Sequence, residues 1–160
     1  MKMNIWKYSD IETMNHQLEG KKIVLVGGCF DILHYGHLTF LQKAKQEGDI
    51  LIVALESDQF IIERKKRKPV HTQKQRAELL ANLHVVDYVV ALPYFQSHQE
   101  YAELVQKIKP YIIAVTEEDT NLEQKKQHAK LVNAQIKTVS PLLSDFSTTH
   151  IMQYENISSN

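Results

Sequence analysis

His34 and His37 stand at i and i+3 around Gly36, just after the run Val24-Leu25-Val26-Gly27-Gly28-Cys29-Phe30-Asp31. An apolar run, a glycine pair and a histidine pair in that order read as a strand, a gap of phosphate size and a helix start. The first N–H groups of a helix have no partner within it and carry the positive end of its dipole, so such a place attracts an anion. Two imidazoles at its mouth add donors, neutral or protonated, that can follow charge developing on a phosphate. An isolated histidine is more often a packed or surface residue. A zinc reading needs further ligands, and neither a cysteine nor a nearby carboxylate completes a set.

The elements that must position these residues follow from hydrophobic periodicity. Ile11, Met14 and Leu18 recur at i, i+3 and i+7 and predict an N-terminal helix ending at Gly20, with Ile5 and Trp6 docking it. Ile23 to Val26 and Ile50 to Leu55 are unbroken apolar runs that suit strands covered on both faces. Further strands are expected over Val85 to Leu92, Tyr111 to Val115 and Ile136 to Val139, with helices from Tyr35, Thr72, Gln96 and Leu122 between them. Thr72 and Gln75 form a capping-box pattern, and Pro110 stops the helix from Gln96. The alternation predicts an α/β, Rossmann-like domain: about five parallel strands, right-handed crossovers and helices on both faces.

Residues 1–160 are read as one domain, with the helix in 1–20 and a catalytic core over 21–151. Nineteen basic and nineteen acidic residues leave no net charge, so broad attraction to nucleic acid or to an anionic membrane is not expected. Cys29 is the only cysteine, which excludes an internal disulfide and fits a reducing, cytoplasmic setting. No stretch approaches the roughly 20 apolar residues that span a bilayer. Strand ends supply further candidates, because ligands of open parallel sheets bind at the carboxyl edge. Ser57-Asp58 follows one strand and Thr116-Glu117-Glu118-Asp119 another. The basic run Glu63 to Lys68, stopped by Pro69, is read as a loop, either solvated or closing on phosphates. Ser147-Thr148-Thr149 opens a last helix and is able to cap it or bind phosphate.

Gly28-Cys29-Phe30-Asp31-Ile32-Leu33-His34-Tyr35-Gly36-His37 resembles the G-x-F-D-x-x-H-x-G-H signature of the cytidylyltransferase-like nucleotidyltransferases, matching six fixed positions in ten. Ala44-Lys45 through Gly48-Asp49, Arg67-Lys68-Pro69, Gln75-Arg76, Val86-Asp87 and Ser147-Thr148-Thr149 fall in that family's order. Within it, Lys21 to Val24, the spacing from Pro69 to Arg76 and the stretch Val86 to Val90 look most like the adenylyltransferase module of ADP-heptose synthesis. Glycerol-3-phosphate cytidylyltransferases share the signature but have an arginine where this chain has Leu142, which argues against CTP. FAD synthetases share the Lys68-Pro69 step. The heptose branch has Gly-Gly-Asp where this chain has Glu117-Glu118-Asp119.

The resemblance implies transfer of a nucleoside monophosphate, from ATP by preference, to a phosphorylated acceptor such as heptose 1-phosphate, with release of pyrophosphate. It implies His34, His37 and Lys45 as catalytic, with Lys45 on the acceptor phosphate. Gly28, Cys29, Phe30, Arg67, Arg76, Ser147, Thr148 and Thr149 are implied for the nucleotide, and Asp31, Asp58 and Asp119 for the substrate. Mg²⁺ is expected to enter with the triphosphate, and a homodimer fits the family, Tyr94-Phe95 suiting an interface or the core. The rivals are CTP with glycerol 3-phosphate, an FAD synthetase-like enzyme, and a regulatory nucleotide-binding protein whose acceptor pocket Glu117-Glu118 has closed. A class I aminoacyl-tRNA synthetase fragment is disfavoured by the neutral charge.

Overall fold

The apolar runs become the middle of a wholly parallel sheet. The computed structural model describes residues 4–141, and Leu142, Ser147, Thr148 and Thr149 lie outside them. In chain order the strands are β1 (Ile5–Lys7), β2 (Ile23–Gly28), β3 (Ile50–Leu55), β4 (Tyr88–Ala91), β5 (Ile112–Thr116) and β6 (Gln135–Ser140). The helices are α1 (Ile11–His16), α2 (Tyr35–Lys45), α3 (Asp58–Lys65), α4 (Gln73–Ala81), α5 (His98–Ile108) and α6 (Leu122–Lys130).

The sheet has six strands in the order β1-β4-β3-β2-β5-β6, not about five. The extra strand is β1: Ile5, Trp6 and Lys7 pair in parallel with Val89, Val90 and Ala91. Three residues are too few for an alternation to show, so their sequence suggests only a docking segment. The N-terminal helix is also shorter than expected: α1 ends at His16, and residues 17–20 form turns closed by bonds such as Leu18 N–H to the Asn15 carbonyl at 2.9 Å instead of a last helical turn.

Successive side chains of a strand face opposite ways, so each apolar run divides between two cores. Leu25, Ile52, Val90 and Ile113 pack with Ile11 and Met14 of α1, Leu104, Val105 and Ile108 of α5 and Ala129 of α6. Val24, Val26, Leu51, Val53 and Val89 pack with Phe40, Leu41 and Ala44 of α2 and Ala77 and Leu80 of α4. Helices therefore cover both faces. Phe95 is buried in the first core, edge-to-face with Tyr8 and Tyr101.

Strand order reverses between β2 and β5. β2 stays paired with β3 through Gly28 and Leu55, whereas its pairing with β5 covers only Val24 with Ile112 and Leu25 with Ile113. Beyond Leu25 the two strands part, which opens a crevice at the carboxyl edge where such sheets bind ligands.

The basic run departs from its reading as a loop. Ser57 caps α3 by accepting from the Phe60 N–H at 3.1 Å, and the helix runs on to Lys65. Lys66 then ends it in a left-handed conformation, φ +56°. The predicted capping box on α4 is present: Thr72 accepts from the Gln75 N–H at 3.3 Å, and Gln75 accepts from the Thr72 N–H at 3.0 Å.

Candidate active site

The crevice is built on the turn between β2 and α2. Phe30 sits at φ +46°, a region costly for a residue with a Cβ. What holds it there is its ring, which is buried and lies 4.9 Å from the His37 ring. The same ring leaves no room over Gly28, where an added Cβ would fall 2.8 Å from Phe30 Cε2. Any larger residue at 28 would drive the ring out and release the turn.

Asp31 fixes the far side of this turn to the basic segment. Its carboxylate accepts from the backbone N–H of Val70 at 2.9 Å and of His71 at 3.1 Å, and it pairs with the Arg67 guanidinium. Burial works against its charge, but Arg67 and the two N–H groups outweigh that and hold the carboxyl below the usual range.

His34 is the N-cap of α2, its Nδ1 accepting from the His37 N–H at 3.3 Å. That use of Nδ1 places the proton of the neutral ring on Nε2, leaving an N–H donor free. The rings of His34 and His37 stack with centroids 3.8 Å apart. Burial, with His34 alongside, pushes the His37 ring down to about 4, the Ile32 backbone acting in the opposite direction. Burial lowers His34 as well. At neutral pH both are uncharged donors, poised to gain a proton only as negative charge arrives.

Two lobes meet at Gly27–Phe30 and His37. The first, about 240 Å³, is lined by Gly28, Cys29, Phe30, His34 and His37 from the turn and α2, by Ala114 and Thr116 of β5, and by Asp119, Lys125, Ser140 and Pro141. The second, about 900 Å³, runs under α5 and α6, with Glu56, Arg64, Arg67, His98, Tyr101, Glu118 and His128 on its walls. Asp119 and Lys125 border both and form an ion pair at 2.5 Å. Cys29 stays a thiol at neutral pH, since burial and then Glu56 raise it to about 11.

The crevice thus gathers Gly28, Cys29, Phe30, Asp31, His34, His37, Arg67 and Asp119 of the residues expected from the sequence. Lys45 is elsewhere. It closes the carboxyl end of α2, about 16 Å along the 11-residue helix from His34, and bonds Asp87 at 2.6 Å and the Asp49 carbonyl at 2.5 Å. Arg76 is fully buried beneath the crevice and Asp58 is its ion-pair partner at 2.7 Å, so neither lines a lobe. Glu56, Tyr101, His98, Lys125 and His128 are wall residues that sequence reasoning does not single out. Only Glu56 carries a signal, being the first polar residue after the apolar run of β3.

The family model described as cytidylyltransferase-like matches residues 25–160, which contains the whole turn and both histidines. The chain belongs to the cytidylyltransferase-like family of nucleotidyltransferases. It is 45% identical over 109 residues to the bifunctional protein HldE of a Nitratiruptor species, a match covering 66% of this chain and 23% of that protein. It is 44% identical over 108 residues to HldE of Helicobacter pylori, covering 67% and 23%. The chain therefore spans less than a quarter of the length of these relatives. Among solved structures it resembles the lipopolysaccharide core biosynthesis protein of Thermoplasma volcanium, with TM-score 0.62, 28% identity and coverage of 76% of this chain and 97% of that one. Pantoate-beta-alanine ligase of Francisella tularensis shares the fold at TM-score 0.65 and 21% identity, over 99% of this chain and 78% of that one.

Proposed function

We propose that the chain transfers AMP from ATP to a sugar 1-phosphate of the heptose type and releases pyrophosphate. The observation that carries this is the stacked His34–His37 pair at the start of α2, facing the first lobe across the Gly27–Phe30 backbone. Likeness to HldE supports the choice of acceptor class, since the sequence pattern resembles the adenylyltransferase module of ADP-heptose synthesis. The match to a lipopolysaccharide core biosynthesis protein points the same way.

In this reading an acceptor phosphate oxygen attacks the α-phosphorus in line, forming the new P–O bond as the bond to the β-phosphate breaks. Positioning and charge stabilisation supply most of the rate, with little covalent work for the protein. His34 donates through Nε2, and His37 responds to the charge gathering on the leaving pyrophosphate. Lys125 stands at the junction of the lobes, paired with Asp119. The loop pinned by Asp31 sets Arg67 on the wall of the second lobe, its guanidinium engaged by the Asp31 carboxylate.

The first lobe presents imidazoles, backbone and one lysine to phosphate oxygens, and no cluster of three His, Cys, Asp or Glu side chains able to hold a metal occurs among the described residues. That donor set fits Mg²⁺ arriving as Mg-ATP, held by phosphate oxygens, where it would neutralise triphosphate charge. No helix of the described residues is long and apolar enough to cross a membrane.

The test is pyrophosphate release with each nucleoside triphosphate against a panel of heptose, hexose and polyol phosphates and FMN. Turnover with ATP and a sugar 1-phosphate is the expected result. Preference for CTP with glycerol 3-phosphate, or for FMN, would replace it with a rival, and ATP binding without turnover would favour a regulatory protein.

A further inference from the structure

The second lobe contains a carboxylate that the transfer step does not use. Glu56 follows the last residue of β3 and is 8% exposed, so it is more than nine-tenths buried. One oxygen, Oε1, accepts from the Tyr101 hydroxyl at 2.9 Å. The other, Oε2, is buried and has no hydrogen-bond partner among the described residues. Buried carboxylate oxygens are seldom left so, because the lost hydration is not recovered. The Tyr101 tether fixes which oxygen is bound, and both residues line the second lobe, so the unpartnered oxygen belongs to a side chain on its wall.

Resting on the nucleotidyltransferase reading above, we infer that Glu56, held by Tyr101, is the specificity residue that accepts a hydrogen bond from a hydroxyl of a sugar or polyol acceptor in the second lobe. In-line displacement puts attacking and leaving groups on opposite sides of the α-phosphorus. If the triphosphate occupies the first lobe, along α2, the acceptor approaches from the second, which joins it at Gly27–Phe30 and His37.

The lining also selects the chemistry of the occupant. Of the cations around this lobe, Arg67 is taken by Asp31 and Lys125 by Asp119. Arg64 and Lys65 then stand against Glu56 and Glu118, a balance that favours neither a cation nor a second anion. Gln96, Ser97, Asn121 and Gln124 supply uncharged hydrogen-bonding groups. A neutral, hydroxyl-bearing body fits that wall, and Glu56 adds a buried carboxylate acceptor to it.

Glu56→Gln keeps the shape and places an amide N–H₂ where Oε2 was, because Tyr101 continues to donate to the remaining oxygen. An acceptor becomes a donor at that point. Wild type, Glu56→Gln and Tyr101→Phe, each shown folded by circular dichroism, are assayed at pH 8, where a Glu56 carboxyl raised to about 7 is ionised, by pyrophosphate release with Mg-ATP and the best sugar phosphate of the panel. Singly deoxygenated analogues of that acceptor are assayed beside it.

The expected result for Glu56→Gln is a rise in acceptor KM of roughly tenfold or more, as for loss of a hydrogen bond to a charged group, with KM for ATP within about twofold. One deoxy analogue should be handled alike by wild type and variant, which identifies the hydroxyl. Turnover with unchanged acceptor KM in both variants would overturn the inference and leave the transfer reading standing. If no acceptor is turned over, it is the transfer reading that fails. Calorimetric binding of the same sugar phosphates to wild type and Glu56→Gln then decides: tenfold weaker binding supports the role of Glu56, and equal or absent binding overturns it.

Discussion

Arg76 reaches from α4 under the crevice and donates through one nitrogen to the carbonyl of Cys29 at 2.6 Å, the residue at the centre of the signature turn. The same nitrogen donates to the Glu56 carbonyl at 2.9 Å, Nε donates to the His71 carbonyl at 3.1 Å, and the other terminal nitrogen pairs with Asp58. One guanidinium thus ties together the ends of β2 and β3 and the loop before α4. Its arginine character follows from that geometry, since a planar fork can serve four acceptors and an ammonium cannot. Arg76→Lys and Arg76→Met should each destabilise the fold by about 3 kcal/mol or more, because buried carbonyls are orphaned and a cavity opens. Urea denaturation measures this, and a loss under about 1 kcal/mol would make Arg76 a surface-type contact.

The turn is legible in the sequence because its chemistry is local: the glycine pair, Asp31 and the histidines lie within a dozen residues. The buried strands are legible because each is an unbroken apolar run. What stays hidden is set by distance in the fold. Lys45 looks free on a helix until Asp87, 42 residues on, closes over it. Glu56 and Tyr101 meet only when α5 is laid against β3, 45 residues apart. The sequence pattern sets Arg76 against nucleotide, whereas in the fold it holds the backbone that would make that contact. β1 escapes the pattern because its partner strand, not its own alternation, defines it.

His37→Ala should lower kcat by on the order of a hundredfold while leaving the fold intact, as for removal of one donor aimed at developing charge. Phe30 then loses its ring neighbour, so a modest stability loss is expected alongside. Steady-state kinetics with a circular dichroism control separates the two. Unchanged kcat would take His37 out of the mechanism.

The His37 ring also predicts an acid sensitivity. Folded, it titrates near 4; free, it titrates near 6.5. Between those values the unfolded chain binds the extra proton and the folded one does not, so stability falls as pH drops through that window. Burial sets the direction, and the full difference is roughly 3 kcal/mol at most. Urea midpoints measured from pH 7 to pH 4 should fall less in His37→Asn than in wild type. Parallel curves for the two proteins would contradict the burial of this imidazole.

Lys45→Ala should leave kcat within about twofold, because the ammonium is held at the far end of α2 by Asp87 and the Asp49 carbonyl. Stability should fall by about 1 kcal/mol, the ordinary value of a partly exposed pair, with Asp87 keeping its bond to the Leu51 N–H at 2.8 Å. Kinetics and urea denaturation on the same variant test both halves. A large loss in kcat with the fold intact would return Lys45 to the acceptor phosphate and require α2 to present its other end to substrate.

Glu56 carries an opposite pH signature. Burial raises its carboxyl to about 7 from 4.5, against the hydrogen bond from Tyr101 and the attraction of Lys125 and Arg76, which lower it. Between 4.5 and 7 the folded chain binds more protons than the unfolded one, so this group makes stability fall as pH rises, and above 7 the cost is fully present at about 3 kcal/mol. Glu56→Gln removes the titration and keeps the Tyr101 contact. The variant should match wild type near pH 4.5 and exceed it at pH 8 in urea denaturation. Equal stabilities at both pH values would mean that water or another partner already satisfies Oε2. A carboxylate retained at a stability cost, in the wall of the crevice and off the path of the phosphates, is what a site selecting a hydroxyl requires.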